Sequence, residues 1–241
     1  MSRPDFSRRS SAPELMDDAS CDFETFRGCL VDLARVNRLT LAYRPTLGFL
    51  EELRRAGRLP HGRALRILDA GSGYGDTLRQ VARWAARHRV AVALEGVDLS
   101  PWSARAARDA TPAELPIAWH TADVLRYRPE APVDLVISSL FTHHLEDAGL
   151  LRFLRWMEGT ASLGWFINDL HRHPLPYHVF THASRLLRMH RFVRHDGPVS
   201  IARGFVPADW ERLLTEAGIA SGAAVISRWT PFRLCVARLK P

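Results

Sequence analysis

Between residues 65 and 168 the chain alternates short apolar runs with stretches whose apolar positions recur every three or four residues. The runs span 65–70, 90–97, 117–121, 133–139 and 163–168, and helical periodicity fills 76–88, a stretch starting at Pro101, and 146–158. Strand–helix–strand alternation predicts a parallel sheet covered by helices on both faces. A further helix is predicted over 207–216, followed by two β-rich segments, 223–228 and 232–237, separated by Pro231. The expected fold is therefore α/β, a mostly parallel seven-stranded sheet closed by an antiparallel terminal hairpin. Upstream, Phe23, Phe26, Leu30, Leu33 and Val36, then Leu47, Leu50 and Leu53 before Gly57, predict two amphipathic helices. The expected organisation is a polar, proline-interrupted mobile arm (1–20), a helical cap (21–60) and a main domain (61–241) with an irregular insert at 171–205 that would roof a pocket.

Composition narrows the class. The chain has 241 residues, 46% hydrophobic and 24% charged, enough to form a core without disulfides or metal. Cys21, Cys29 and Cys235 are odd in number and show no paired spacing, so free thiols are expected and neither a disulfide framework nor a metal centre. No apolar run reaches the roughly 20 residues needed to span a bilayer, and no hydrophobic stretch follows Arg8-Arg9 to make them a secretion signal, so a cytoplasmic protein without membrane insertion is expected. The net charge is +7, and every basic residue but Lys240 is arginine. Those arginines recur at helical spacing between apolar positions, as solvated faces do, which disfavours a nucleic-acid partner.

The most informative segment is Leu68-Asp69-Ala70-Gly71-Ser72-Gly73-Tyr74-Gly75-Asp76, at the end of the first predicted strand. Glycines at 71, 73 and 75 let the backbone turn sharply and approach a ligand, and the helix that follows offers free N–H groups. A dinucleotide turn would space its third glycine one residue later. With Asp69 two residues ahead of the first glycine, the turn suits a ligand carrying a cationic group, and a dehydrogenase is disfavoured.

Residues 69–76 resemble the first motif of class I S-adenosylmethionine-dependent methyltransferases, and the likeness continues over about 65–170. Within that family the small-molecule enzymes of the ubiquinone and menaquinone type are the most similar. The resemblance implies a Rossmann-like fold, S-adenosyl-L-methionine as cofactor, and binding by Asp69, Ala70, Gly71, Ser72, Gly73 and Gly75. Gly96-Val97-Asp98-Leu99-Ser100 looks like the family's acidic turn, which places Asp98 on the ribose hydroxyls beside Leu99. Thr121-Ala122-Asp123-Val124 looks like the adenine turn, with Asp123 accepting from the exocyclic amine and Val124 giving apolar contact. Ser138 and Ser139 close the fourth strand on the same site.

Past that strand, Phe141-Thr142-His143-His144-Leu145 is similar to the His-His-Leu segment of those small-molecule enzymes, whereas the Asn/Asp-Pro-Pro-Tyr segment of base and glutamine methyltransferases is absent. Asn168-Asp169-Leu170-His171-Arg172-His173 ends the fifth strand, where Asp169 is expected to orient His171 or His173 as a general base. The candidate catalytic residues are thus His171 first, His144 second, then His143 and Asp169, with no metal ligands. The expected reaction is O-methylation of a small aromatic, phenolic, quinone or polyketide-like acceptor. Carbon methylation of a phenol or quinone ring, RNA methylation and a non-catalytic cofactor-binding scaffold are the alternatives.

Overall fold

The computed structural model describes residues 5–17 and 22–241. Its strands are β1 (Leu65–Ala70), β2 (Val92–Asp98), β3 (Ile117–Thr121), β4 (Val133–Ser139), β5 (Ala161–Leu170), β6 (Ala224–Trp229) and β7 (Arg233–Leu239). They form one sheet in the order β3-β2-β1-β4-β5-β7-β6. The first five pair in parallel, and β7 runs antiparallel to both β5 and β6. Buried apolar runs form the central strands, as a sheet covered on both faces requires. The chain leaves β1 toward β2 and β3, then returns to lay β4 on the other side of β1, so the crevice at the carboxyl ends of β1 and β4 is a topological switch point, where open α/β sheets bind ligands.

Helices cover both faces. One face carries α2 (Arg44–Arg55) and α3 (Asp76–His88), whose Phe49, Leu50, Leu53, Leu78, Val81 and Trp84 pack on Ile67, Leu94, Leu135 and Phe166. The other carries α5 (Asp147–Thr160) and α8 (Pro207–Ala217), where Leu150, Phe153, Met157, Trp210 and Leu213 meet Leu68, Val136, Trp165 and Ile167. The helices predicted between strands are present, with ends shifted by a residue or two. Among the expected cap helices, α2 belongs to this core, while α1 (Phe23–Leu39) sets Phe26 and Leu30 against Ala106 of α4 (Pro101–Asp109).

Two expectations need correction. The insert is not irregular: it folds as α6 (Pro174–Leu186) and α7 (Arg191–Arg203). Pro174 and Pro176 fall in the first turn of α6, where a missing N–H costs nothing. Pro198 does lie inside α7. Its neighbour Gly197 packs against α6 so closely that a Cβ would come within 2.0 Å of the Phe180 ring. Nor is the arm, as far as it is described, a solvated tail. Ser10 donates its N–H to Ala202 O (3.0 Å), Leu15 and Met16 donate theirs to the buried Asp196 carboxylate (2.8 and 3.0 Å), and residues 15–17 form a 3₁₀ turn. Residues 1–4 and 18–20 of the expected mobile arm lie outside the described residues, as does Cys21, while Cys235 is a buried free thiol and the buried Cys29 sets its Sγ 3.1 Å from His190 Nδ1.

The glycine turn after β1 shows why glycine stands there. Gly71, Gly73 and Gly75 all have positive φ (+73°, +51° and +71°), and a Cβ on Gly75 would sit 2.1 Å from Cη2 of Trp119. Gly75→Ala is expected to cost about 2–4 kcal/mol in urea-induced unfolding, combining a strained backbone with overpacking. A second change, Trp119→Phe, should return the steric part of that loss and leave the backbone part; no recovery would place the cost elsewhere.

Candidate active site

At the switch point the sheet gathers carboxylates around a bare backbone turn. Asp69 closes β1, is 2% exposed, and its Oδ1 has no hydrogen-bond partner. Burial raises its pKa well above the ordinary carboxylate range, and Asp76 and Asp98 nearby raise it further. Asp98 at the end of β2 accepts from the N–H groups of Gly73 (2.8 Å) and Ser100 (2.9 Å), which draws the acidic turn onto the glycine turn. Asp76, the first residue of α3, accepts from Tyr43 Oη (2.6 Å) and Asn37 Nδ2 (3.1 Å), so the α1–α2 connection is tied to the same edge. The N-cap of α3 is Gly75, with no side-chain cap, which leaves the first N–H groups of that helix for a ligand.

The other expected binding residues divide into two sets. Leu99 is 74% exposed beside Asp98, and Asp123 is partly exposed, with Oδ1 accepting from Leu125 N–H (3.0 Å). The Ala122 N–H donates to Asp98 O (2.9 Å), which holds the third turn against the second. Ala70, Val124 and Ser138 instead point inward: Ala70 and Val124 belong to the core, and Ser138 Oγ donates to Ala70 O (2.9 Å), joining β1 to β4 beneath the turn. Ser139 Oγ lies 3.4 Å from Thr46 Oγ1 of α2. Phe141 packs so close over Gly71 that a Cβ there would meet its ring at 2.3 Å.

These residues fit S-adenosylmethionine. An orphaned, buried carboxyl oxygen among further carboxylates is a place for a cationic group, and the uncapped helix start offers N–H donors to a carboxylate.

The second cluster lies at the ends of β4 and β5. His143 and His144 sit in a 3₁₀ turn (Thr142–His144), and Asp169 is fully buried. Burial alone would raise the Asp169 pKa, but His143, Thr142 and the Leu170 N–H together hold it below the ordinary range. Asp169 does not orient His171 or His173, as adjacency in sequence suggests. Its Oδ1 meets His143 Nδ1 at 2.7 Å, and its Oδ2 accepts from Thr142 Oγ1 (2.5 Å) and the His143 N–H (3.1 Å). His171 is carried toward the hairpin: its N–H donates to Phe232 O (3.1 Å), its ring lies 5.8 Å from that of His173, and burial, with Arg228, His173 and Arg172, lowers its pKa.

The His143 ring is buried, and the His144 ring, 4.3 Å away, is 30% exposed. Glu14, from the docked arm, completes the cluster. Its carboxylate lies 3.8 Å from His143 Nε2 and 3.9 Å from His144 Nε2, and it accepts from Ser200 Oγ (2.9 Å). These three donors are close enough together to be considered as metal ligands. Arg9 and Arg203 frame the turn from outside, each donating to the carbonyls of residues 143–145 (2.8–3.2 Å). No sequence signal marked Glu14, Arg9 or Arg203. Nor did one mark Arg233, at the same sheet edge, which is buried with Nε and Nη1 unpartnered and Nη2 donating to Thr40 Oγ1 (3.2 Å).

The strand order, the glycine turn and the acidic turn together define a class I, S-adenosylmethionine-dependent methyltransferase fold. Residues 67–161, from β1 to the start of β5, match the family model described as a methyltransferase domain. A stretch of 120 residues is 35% identical to trans-aconitate 2-methyltransferase of Azoarcus sp. (strain BH72), covering 45% of this chain and 44% of that protein, so the match spans less than half of that relative. Among solved structures, magnesium protoporphyrin IX methyltransferase of Synechocystis PCC 6803, with bound S-adenosylhomocysteine, superposes over 93% of this chain and 90% of its own, at 14% identity and TM-score 0.56. The C-methyltransferase domain of citrinin polyketide synthase covers 82% and 52%, at 18% identity and TM-score 0.58. Both likenesses concern the fold.

Asp69 gives a signed expectation. A folded pKa above the unfolded value of about 4 means that its contribution to stability is intact below pH 4 and falls as pH rises toward the folded value. Asp69→Asn should therefore raise the unfolding midpoint of the ligand-free protein at neutral pH by several degrees, on the order of 1–3 kcal/mol, with the advantage vanishing near pH 4. Cofactor affinity, measured by calorimetry, should fall in the same variant. A destabilised variant with normal affinity would be incompatible with a cation socket.

Proposed function

We propose that this chain transfers a methyl group from S-adenosylmethionine to an oxygen of a small aromatic or phenolic acceptor, with His144 as proton acceptor. The observation that carries the cofactor half is the unpartnered Oδ1 of Asp69, buried at the glycine turn. Bound there, the sulfonium compound supplies an electrophilic methyl group and a neutral thioether leaving group. The chain would contribute alignment, water exclusion and a place for the acceptor's proton, of which positioning supplies the largest rate factor.

Support for His144 comes from access. His143 is buried and its Nδ1 is engaged by Asp169, so it serves as a fixed platform, whereas the His144 ring beside it, tilted by 35°, reaches solvent. Glu14 lies on the Nε2 side of both rings and would stabilise an imidazolium as the acceptor's proton arrives. Arg233, a buried guanidinium with two free N–H positions at the same sheet edge, is suited to offset charge on an acceptor oxygen. Against the RNA alternative, several arginines are occupied by carboxylates: Arg63 on Asp134 (2.7 Å), Arg66 on Glu95 (3.0 Å) and Arg172 on Asp209 (2.8 Å).

The test is methyl transfer from labelled S-adenosylmethionine to a panel of phenols and hydroxyquinones, with the methylated atom located by mass spectrometry and NMR. His144→Ala should lower kcat by about a hundredfold or more without changing cofactor affinity, and loss through His143 alone would transfer the role to that ring. Gly73→Arg should abolish cofactor binding in calorimetry while the protein stays folded, because the space around a Cβ at residue 73 is open and an arginine there would project into the turn. Unchanged binding would remove the turn from the cofactor site.

A further inference from the structure

Five of the chain's seven net positive charges fall in one short stretch. Between Asp169 and Asp196 there is no Asp or Glu, but there are Arg172, Arg185, Arg188, Arg191 and Arg194. The last four are exposed, and among the described residues none of them forms an ion pair with a carboxylate. This stretch comprises α6, the connection after it and the first half of α7.

The same stretch presents apolar side chains to solvent. On α6, Leu175, Val179 and Leu186 are 53%, 56% and 83% exposed, and Leu187 just beyond is 59% exposed. Steps of four and seven residues put the first three on one side of the helix, with His182 between them and His178 and Arg185 along its flank. The opposite side is already occupied: Ser184 and Pro176 are buried, and Phe180 packs on Gly197 of α7. The helix is thus apolar on two sides, one satisfied within the fold and one not.

We infer that the outer face of α6, with the basic connection to α7, adsorbs to an anionic lipid surface. An exposed leucine–valine stripe bordered by unpaired arginines is the pattern of a helix that lies in the headgroup region, its apolar side chains sunk into the acyl boundary and its guanidinium groups on lipid phosphates. A nucleic acid would use the charge but has no use for the stripe. The binding is peripheral, because no helix among the described residues is long and apolar enough to cross a membrane.

The test is co-sedimentation of the full chain with vesicles of phosphatidylcholine alone and of phosphatidylcholine mixed with phosphatidylglycerol. Binding is expected only to the mixture and should weaken steeply with added salt. Leu186→Glu with Leu187→Glu, and separately Arg185→Glu with Arg188→Glu, should each lower partitioning by on the order of tenfold or more, and all four positions are exposed, so cofactor affinity and thermal midpoint serve as controls for folding. The inference is overturned by equal binding to both vesicle types, by binding to neither, or by binding to RNA that competes with the vesicles and is unaffected by the leucine changes.

Discussion

The sheet buries two carboxyl groups at one edge and drives their pKa values apart, and the site is arranged around that difference. Asp69 and Asp169 both end parallel strands and both are shielded from water. Asp69 faces two further carboxylates and has one oxygen without a donor, so burial and like charge raise its pKa. Asp169 has the His143 ring, the Thr142 hydroxyl and a backbone N–H, which outweigh the same burial and lower it. Groups whose environments push their pKa values apart are a mark of divided chemical roles. One carboxyl lacks a cation that a ligand can bring, and the other has its donors built in.

The supports of each group follow from this. Around Asp69 the chain brings backbone close and keeps side chains away: three glycines with positive φ, an uncapped helix start and Phe141 pressed onto Gly71. Around Asp169 it does the reverse and fills the space with donors. The two arginines from distant segments, Arg9 and Arg203, satisfy the carbonyls of the histidine turn, so the turn's polar groups are paired although it belongs to no long helix. The described arm is thereby part of the fold, and Glu14 reaches the histidines because Leu15 and Met16 are pinned to Asp196.

Much of this was legible in the sequence where local pattern and global fold agree. The strands at 65–70 and 133–139 have the predicted bounds, because buried runs in a doubly covered sheet leave little choice, and the half-buried edge strand at 117–121 keeps its bounds as well. The insert was read as irregular, yet it folds as two helices: two of its prolines occupy the first turn of α6, and Pro198 lies inside α7 beside Gly197, which packs on Phe180. Asp169 was assigned to His171 or His173, but alternation along a strand does not decide which neighbouring element fills the space above a side chain. Glu14 and Arg233 are set by contacts between segments far apart in the chain, and such contacts leave no periodic trace.

The α6–α7 insert also shows how a charge pattern constrains helix ends. Helices usually begin on Ser, Thr, Asp or Asn, whose oxygen accepts the first free N–H groups. Here α6 begins on His173, whose Nδ1 accepts from the Leu175 N–H (3.1 Å), and α7 begins on His190, whose Nδ1 accepts from the Phe192 N–H (3.4 Å). An imidazole nitrogen does the capping that a carboxylate does elsewhere, as Asp22 does for α1 with the Thr25 N–H (3.0 Å). An acidic cap at these positions would have placed one negative charge near the start of the arginine-rich stretch and another between Arg188 and Arg191. With histidine in that role, both helices are capped and the patch keeps its sign, which serves a surface that must present arginine to its surroundings.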